Sequence, residues 1–585
     1  MDDTTPPHGF PRPVYTNGSQ PGPAPQARDD TTRYLSAAAH LDPEYANDAI
    51  REFLVEDTRQ VPPSAGLDVA AVLGEAVAAR TRRKLRDIAL TLLLFGFLFV
   101  ASPELVAMWI VLAIAASVPL MRRALKKLGI STSVAWYVAG GALLLVVFVT
   151  VLPDLVDELF DSGSSGSGYS SGYPTYAVEP AASAGALIGG ILILAAMLAV
   201  LLADRFVVWK HLKDRFWRNR LSTSAPDVSE RTVFQYSPAR FLTQLRRYAQ
   251  PRSTIAAVRP DEPPQRTPGG PVQLIVYRDF VPFIGSGLPE EPWSIAVPLE
   301  RAPETVPESE LTTESLYEGI RTEIESLREM STMMPGRRLG ELTVTERVIV
   351  SADELIDHMA DPTAADFLRG PGHAPYTLVR RDRAQAIKTD PLEWARYYQC
   401  YQVETWDRDL VVSVFVHVAV GRDVLYVEWT PCILRPIRKK YQAIDEMRRS
   451  PLRPFGQALL DLVRLPASLP GRLKHTFTFL RPLPQDGGIS PAMYGVSSTL
   501  RELASDPEVH NYFQLSDIDR YLKTMESRSI LAVSRMMRAA GYSAASFDQQ
   551  AATVVNNNVN IGGSVDGNVV AGTGNKVGAT PARSA

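Results

Sequence analysis

The stretch RYYQCYQVETWDRDLVVSVFVHVAVGRDVLYVEWT, residues 396–430, decides the fold of the C-terminal half of the chain. It contains three runs rich in β-branched and aromatic residues, the composition typical of β-strands. Two triplets of turn-forming residues, Asp407-Arg408-Asp409 and Gly421-Arg422-Asp423, separate the runs. The pattern predicts three antiparallel strands joined by hairpins. The middle run is apolar on nearly both faces, so it should be a central strand that is covered on both sides.

Further strands precede this meander. The segments PVQLIVYRDFVPFIG (271–285), EPWSIAVPLE (291–300) and LTVTERVIV (342–350) have the same strand-like composition. Among them, Thr313 is expected to cap a helix whose apolar face is formed by Leu316, Ile320, Ile324 and Leu327. Together these elements predict a cytoplasmic α+β domain at residues 271–450, built on a mostly antiparallel sheet.

Upstream, the apolar run IALTLLLFGFLFVASPELVAMWIVLAIAASVPLM extends from Ile88 to Met121, with Glu104 as its only charged residue. Basic residues flank it on both sides, and basic flanks stay in the cytoplasm. One span needs about 20 residues. The run therefore predicts a helical hairpin that turns at Ser102-Pro103-Glu104, where Glu104 would be a solvated turn residue. The alternative is one long tilted helix.

Two more apolar segments follow, at Ser133–Leu152 and Ala182–Ala203. The loop between them is acidic and rich in Gly and Ser, and the residues after the second segment are basic. Because basic residues favour the inner side, this predicts four spans arranged as two hairpins. The expected protein is an α-helical, multi-pass protein of the cell membrane, with a transmembrane region at residues 86–205 and both termini in the cytoplasm.

The remaining segments differ in composition. We expect a disordered Pro-rich N-terminus (1–32), a cytoplasmic helical segment (33–85), a basic juxtamembrane segment with a Pro-rich linker (206–270), a helical segment near the membrane (451–545) and an Asn/Gly/Val-rich tail (546–585).

A helix in the 33–85 segment has clear start signals. Asp42 suits its N-cap and Pro43 its first turn. One face of this helix needs a partner in the C-terminal domain or in a second helix at Leu67–Ala79, because it is formed by Ala46, Ala49, Ile50, Phe53 and Leu54.

Composition and motifs exclude several classes of function. The formal net charge of −3 lacks the basic excess of a nucleic-acid-binding protein, so no nucleic-acid partner is expected. The cysteines, Cys400 and Cys432, are too few for a disulfide scaffold and are predicted to be buried thiols. No catalytic, cofactor-binding or metal-binding motif is found in the sequence, so no catalytic residue, cofactor or metal site is predicted.

Two histidines and a group of arginines are candidate site residues. His417 lies within the middle strand and is predicted to be a core histidine with satisfied hydrogen bonds. His373, in the loop GPGHAP, is a better catalytic candidate, and nearby arginines resemble an anion site: Arg380, Arg381 and Arg383. The alternative is a solvated loop.

A second basic group follows the meander, consisting of Arg435, Arg438, Lys439, Lys440, Arg448 and Arg449. The segment behind it mixes apolar residues with single Arg and Lys residues. On a domain held at a membrane, this pattern favours contact with anionic lipid. The alternative is that the apolar residues pack on the sheet and the basic residues are solvated.

Three stretches resemble a large, uncharacterised family of actinobacterial multi-pass membrane proteins. They are RYLSAAAHLDPEYANDAIREFL, YRDFVPFIGSG and YQCYQVETWDRDLVVSVFVHVAVGRDVLYVEWTPCILRPIRKKYQAID. The resemblance covers roughly residues 33–450. It implies no activity, so it identifies no catalytic residue.

The C-terminal end reads NNNVNIGGSVDGNVVAGTGNK, from Asn556 to Lys576, with a repeat offset of ten residues. Two short strands with Gly/Asn turns could stack in a cross-β assembly. The apolar contacts would come from Val559, Ile561, Val569 and Val570. The segment resembles bacterial amyloid-type signalling motifs, which implies self-association or a partner with a similar tail. The alternative is a disordered tail.

These observations lead to one main functional hypothesis, a membrane-anchored cytoplasmic scaffold or signalling protein that contacts membrane lipid and recruits partners through its tail. The alternatives are a membrane-tethered enzyme with a site near His373 and a pore- or lesion-forming effector.

Overall fold

The computed structural model describes residues 30–62, 67–127, 180–217, 241, 245, 248, 270–303, 307–329, 335–446, 452–478, 480, 482–483 and 490–557. Several predicted features lie outside these residues. They are the N-terminal 29 residues, the span Ser133–Leu152 with the acidic loop after it, most of the linker, Arg448 and Arg449, and the assembly residues Val559, Ile561, Val569 and Val570.

The described helices, numbered in chain order, are α1 Asp30–Leu41, α2 Pro43–Ile50, α3 Val69–Val100, α4 Pro103–Lys127, α5 Pro180–Arg215, α6 Thr313–Glu325, α7 Ala352–Asp357, α8 Arg381–Thr389, α9 Lys439–Gln442, α10 Leu452–Val463, α11 Leu465–Phe477, α12 Pro491–Tyr494, α13 Leu500–Leu503, α14 Tyr512–Ala539 and α15 Ala545–Asn557.

One sheet organises the C-terminal half. Its strand order is β2-β8-β7-β6-β4-β1-β5, and β3 also pairs with β8. The pairing of β1 with β4 is parallel and the other described pairings are antiparallel. The mixed α+β domain with a mostly antiparallel sheet is therefore confirmed. Its strands are β1 Val272–Tyr277, β2 Leu288–Pro289, β3 Trp293–Pro298, β4 Thr343–Ser351, β5 Leu378–Val379, β6 Ala395–Thr405, β7 Leu410–Val420 and β8 Val424–Leu434.

The middle strand β7 is central, as predicted, and is buried from Leu410 to Val418. On one face, α6 and α14 cover the sheet. The N-cap of α6 is Thr312, one residue before the predicted cap, because its side chain accepts the backbone N–H of Ser315 at 3.1 Å. On the other face, Phe283 packs against the sheet. Cys400 and Cys432 lie on this face and are buried free thiols, as predicted.

The helical segment near the N-terminus packs directly on the sheet domain. The Gln60 side chain donates to the carbonyls of Leu274 and Tyr376 and accepts the N–H of Val276, so it is bonded into strand β1. The predicted apolar face of α2 and the turn after it is buried against both expected partners, α3 and the C-terminal domain. These residues therefore join one packed body rather than a separate unit.

The run Ile88–Met121 forms two helices, not one. Helix α3 ends at Val100 and α4 begins at Pro103, so the predicted break is confirmed and the single long helix is wrong. The break lies against α5, since a Cβ at Gly190 would meet Ala101 and Leu105 within 2.9 Å.

The four-span arrangement is not supported by the described part of the chain. Among those residues, the helix Gly185–Arg215 is long and apolar enough to cross a membrane, and Pro103–Val118 is a shorter apolar helix. The apolar part of α3 starts only after Asp87 and extends about 20 Å at 1.5 Å per residue, short of the hydrocarbon thickness of about 30 Å. The predicted span Ser133–Leu152 lies outside the described residues.

Candidate binding groove and membrane-facing surface

The apolar helices leave a large aliphatic surface uncovered. Within α5, 17% of the apolar window is buried in the molecule, whereas a core helix of a soluble protein is mostly buried. Contiguous exposed apolar surface of this kind marks a membrane or protein contact. The exposed side chains on α3, α4, α5 and α10 include Leu92, Phe95, Leu98, Phe99, Met108, Leu112, Ile188, Ile191, Leu192, Phe455 and Leu459.

Helices α10 and α11 pack against these apolar helices. The indole N–H of Trp109 donates to the carbonyl of Leu462 at 3.1 Å, and Arg464 donates to the carbonyl of Ala116 at 3.1 Å. Ala458 and further residues join the same buried cluster as α3 and α5. The alternative in which this segment packs on the sheet is therefore wrong, because its apolar residues find their partners on α3, α4 and α5.

Ion pairs form a charged belt beneath the aliphatic surface. Asp204 of α5 accepts from Arg82 at 2.6 Å and from Arg86 at 3.1 Å. Asp87 of α3 binds Arg472 at 2.8 Å and His475 at 2.9 Å, both on α11. Arg82 and Arg86 belong to the basic flank that predicted the membrane topology, and they thus also form ion pairs within the protein. A buried charge that loses its partner is costly, so these pairs lock the helices together.

A groove opens between α14 and the edge of the sheet where β2 and β3 pair with β8. Its cavity is about 830 Å³, within the range of small-ligand and peptide pockets. Trp429, Ile433, Ile518 and Leu522 form much of its apolar floor. Five carboxylates and two basic groups also line it, so its rim is acidic, with Glu290, Glu291, Glu508, Asp519 and Glu526 against Arg435 and Lys523.

Trp429 and the buried carboxylate of Glu526 line one wall of this groove, and Trp293 contacts both of them. The Trp293 indole donates to Glu526 Oε1 at 2.7 Å. The Trp293 and Trp429 rings stack with centroids 6.0 Å apart and an interplanar angle of 13°. Burial raises the pKa of Glu526 above its usual value. Sequence reasoning missed this wall, since Trp293 and Glu526 are 233 residues apart and neither belongs to a motif.

Within the predicted lipid-binding basic group, Arg435, Arg438 and Lys440 each bind a different partner in the protein. Arg435 pairs with Glu290 at the groove and donates to the carbonyl of Pro507. Arg438 donates to the carbonyl of Ser505. Lys440 pairs with Asp42 at 2.5 Å, and Lys439 is exposed. Lipid contact by this group stays a prediction.

The predicted arginine loop is instead the start of helix α8, with Arg380 at its N-cap, and carboxylates neutralise its arginines. Arg380 pairs with Asp382 at 2.8 Å, Arg381 with Glu346, and Arg383 with Asp366 at 3.2 Å. Arginines that already hold carboxylates are poor anion-binding groups.

The two candidate histidines, His373 and His417, differ in their surroundings. His373 lies in an exposed loop and its Nδ1 is 3.2 Å from the carbonyl of Pro371. His417 is buried, and its Nδ1 is 3.0 Å from the carbonyl of Tyr397, which confirms a core histidine with a hydrogen-bond partner.

One group among the described residues has side chains of the right type and spacing to hold a metal ion: His40, Glu75 and His211. It lies where α1, α3 and α5 meet, not in the groove. A motif scan misses it because each ligand comes from a different helix.

Comparison with known proteins identifies part of the chain. Residues 292–570 match the family model of an AbeC-like domain. No curated protein and no solved structure matches the chain. The matched segment includes α10, α11, α15 and most of the groove lining, except Glu290 and Glu291, whereas the N-terminal helices and α3 to α5 precede it. The match agrees with the resemblance to an uncharacterised family and carries nothing on the source, the membrane region or the tail motif.

Proposed function

We propose that this chain is a membrane-attached scaffold or signalling protein that binds a partner segment in the groove of its AbeC-like domain. The observation that carries the proposal is the packing of α10 and α11, which belong to the matched segment, onto the apolar helices. Through this contact the aliphatic surface and the groove belong to one packed body. A partner bound in the groove is therefore held at the membrane.

Attachment through a multi-pass helical region in the cell membrane, with both termini in the cytoplasm, is part of this proposal. Support comes from the uncovered aliphatic surface on α3 to α5 and from the charged belt beneath it. A belt of paired charges at the base of an apolar bundle suits the boundary between hydrocarbon and water.

The groove suits an amphipathic segment that is apolar on one side and basic on the other. Its floor would receive the apolar side chains, and the surplus of carboxylates at the rim would attract Lys or Arg residues. Complementary charge of this kind selects the partner and its orientation.

The tail adds a second mode of recruitment to the proposal. Helix α15 ends at Asn557, and Val555 on this helix lines the groove. The tail with Val559, Ile561, Val569 and Val570 follows this helix in the sequence, so we propose that it can reach a chain bound at the groove. Stacking of these residues with a matching tail would bring a second chain to the same place.

The enzyme alternative finds no support in the described residues, because the arginines near His373 are paired with carboxylates. The proposed function instead predicts binding without turnover.

The test has two stages and uses the full chain. Alkaline carbonate extraction of membranes should leave the protein in the pellet. The protein in detergent is then used to select displayed random peptides, which should be enriched in segments with one apolar and one basic face. The Glu508→Lys/Asp519→Lys variant should bind the selected peptides about tenfold more weakly, since rim ion pairs contribute about 0.2–1 kcal/mol each.

The matched control is Glu308→Lys/Glu310→Lys, which makes the same charge change at exposed positions outside the groove lining. It should bind the peptides as the unmodified chain does. Selected peptides that are acidic, or equal loss of binding in both variants, would overturn the groove assignment. Release of the protein by carbonate would overturn membrane integration.

A further inference from the structure

Three potential metal ligands converge at the base of the apolar helices. His40 comes from the end of α1, Glu75 from the first part of α3 and His211 from the end of α5. His40 and Glu75 are buried, with side chains 2% and 3% exposed, and the His211 side chain is 8% exposed.

The three ligand atoms face one another. His40 Nε2 is 2.8 Å from Glu75 Oε2, and His211 Nε2 is 3.1 Å from the same oxygen. All three atoms lie within 4.8 Å of one another. Zinc binds nitrogen and oxygen ligands at about 2.0–2.2 Å, which places neighbouring ligand atoms of a tetrahedral site about 3.3 Å apart. The two nitrogen–oxygen separations are thus within about 0.5 Å of that spacing, and the two imidazole nitrogens, up to 4.8 Å apart, would approach each other by as much as about 1.5 Å to admit an ion.

A neutral His40 and an ionised Glu75 suit a divalent cation. Burial lowers the pKa of His40 to about 4, so the imidazole is neutral; its Nε2–H now donates to Glu75, and metal binding at Nε2 requires that proton to move to Nδ1 or to solvent. Burial alone would raise the pKa of Glu75, but hydrogen bonds from His211 and His40 outweigh it and hold the pKa at about 2. Arg215 approaches the other carboxylate oxygen, Oε1, at 3.7 Å, which leaves Oε2 to the histidines.

The surrounding contacts hold the ligands in place. Arg83 donates to the carbonyls of Ala39 and His40 at 2.7 and 2.8 Å, which fixes the end of α1 on α3. The Phe216 ring lies 5.4 Å from the His211 ring and 6.4 Å from the His40 ring and shields the group from water. Metal ligands work best when neighbouring groups fix their orientation in this way.

We propose that His40, Glu75 and His211 bind a divalent transition-metal ion of the zinc class. Two imidazoles and one carboxylate are the ligand types that such ions accept, and three protein ligands leave one coordination position for water. The ion would tie α1 to α3 and α5, so that metal binding secures the N-terminal helices to the apolar bundle. This inference does not depend on the groove.

The experiment measures metal content in the full chain in detergent, purified without chelator. Elemental analysis should find about one equivalent of a divalent transition metal per chain. After removal with EDTA, Zn²⁺ should raise the unfolding temperature. Co²⁺ should give the visible absorption bands of a site with nitrogen and oxygen ligands. Glu75→Gln and His211→Asn should each weaken Zn²⁺ binding at least about tenfold.

His475→Asn is the matched control, because His475 is likewise a histidine paired with a carboxylate, Asp87, but no second histidine lies beside it in the described part of the chain. This variant should bind Zn²⁺ as the unmodified chain does. The proposal is overturned if the stripped chain takes up no Zn²⁺ or Co²⁺ at micromolar concentration. Equal loss of binding in the control and in the Glu75 variant would also overturn it. The Co²⁺ spectrum of the unmodified chain decides the question even if a variant fails to fold.

Discussion

Replacing Asp87 by alanine tests the contact that joins the AbeC-like domain to the apolar helices. Asp87 Oδ1 accepts from Arg472 at 2.8 Å and from Arg86 at 2.9 Å, and Oδ2 is 2.9 Å from His475 Nδ1. The Asp87 side chain is 4% exposed, so its partners would be left in a poorly hydrated site. The Asp87→Ala change removes the anion that binds α11 to α3.

The expected loss of stability depends on which other contacts the partners of Asp87 retain. Breaking a buried ion pair by removing one member costs about 3–5 kcal/mol. Here Arg86 keeps Asp204 at 3.1 Å, and Arg472 keeps the hydroxyl of Ser468 at 3.0 Å. We therefore expect the lower end, a loss of about 3 kcal/mol in the free energy of unfolding. Asp48→Ala, at an exposed carboxylate that pairs with Arg51 at 3.6 Å, should cost less than about 1 kcal/mol.

The assay is thermal unfolding of the full chain in detergent, followed by tryptophan fluorescence. Trp109, one of the eight tryptophans of the chain, contacts α10 through the carbonyl of Leu462, so the emission includes a signal from this interface. Limited proteolysis within residues 452–477 should become faster in Asp87→Ala, because α10 and α11 lose an anchor. If Asp87→Ala and Asp48→Ala unfold at the same temperature and are cleaved at the same rate, the proposed interface is refuted.

Three further predictions concern the sheet domain. Burial raises the pKa of Glu526, so the folded state binds its proton more tightly than the unfolded state, and stability falls as pH rises above about 4.3. Glu526→Gln keeps an acceptor for the Trp293 indole and should raise the unfolding temperature at pH 7 but not at pH 4; equal shifts at both pH values would count against this account. Gly287→Ala should destabilise by about 2 kcal/mol or more, since its φ is +84° and a Cβ would lie 2.1 Å from a carbonyl oxygen of β8, whereas Gly456→Ala in α10 meets nothing within 4 Å and should be neutral or stabilising. Gln60→Ala should cost about 2–3 kcal/mol by leaving the backbone groups of β1 unpaired, as measured by denaturant unfolding, and a loss below about 0.5 kcal/mol would contradict that role.

The sequence predicted the strands and helices whose formation depends on residues only a few positions apart. Strands β6 to β8 follow from runs of β-branched and aromatic residues separated by turn triplets, and the structure forms them within a few residues of the predicted ends. The break before Pro103 follows from a residue that cannot continue a helix but can start one. The amphipathic face of α2 likewise required a partner wherever that partner lay.

The arrangement of the apolar helices could not be predicted from hydropathy alone. Hydropathy counts apolar residues, but it does not show that Arg82, Arg86 and Asp87 pair with Asp204 and with α11. Those pairs place the charged belt at the start of the apolar part of α3. The length of the apolar part of the hairpin thus depends on contacts between helices that are distant in the sequence.

The candidate sites belong entirely to the tertiary structure. Trp293 donates to the groove residue Glu526 across 233 residues, and His40 and His211 meet at Glu75 from separate helices. The groove also captures Arg435, which the sequence assigned to a lipid-facing group.

The difference between the features that the sequence predicts and those that it does not predict has a physical reason. Periodicity, turn chemistry and helix capping act between residues a few positions apart, so the sequence by itself determined the strands of the meander, the helix starts and the α+β class of the domain. The parallel pairing of β1 with β4, the docking of α10 and α11 on the apolar helices, and the convergence of His40, Glu75 and His211 required the folded chain. Each depends on which buried surfaces fit together after long loops close, and no local pattern specifies that fit.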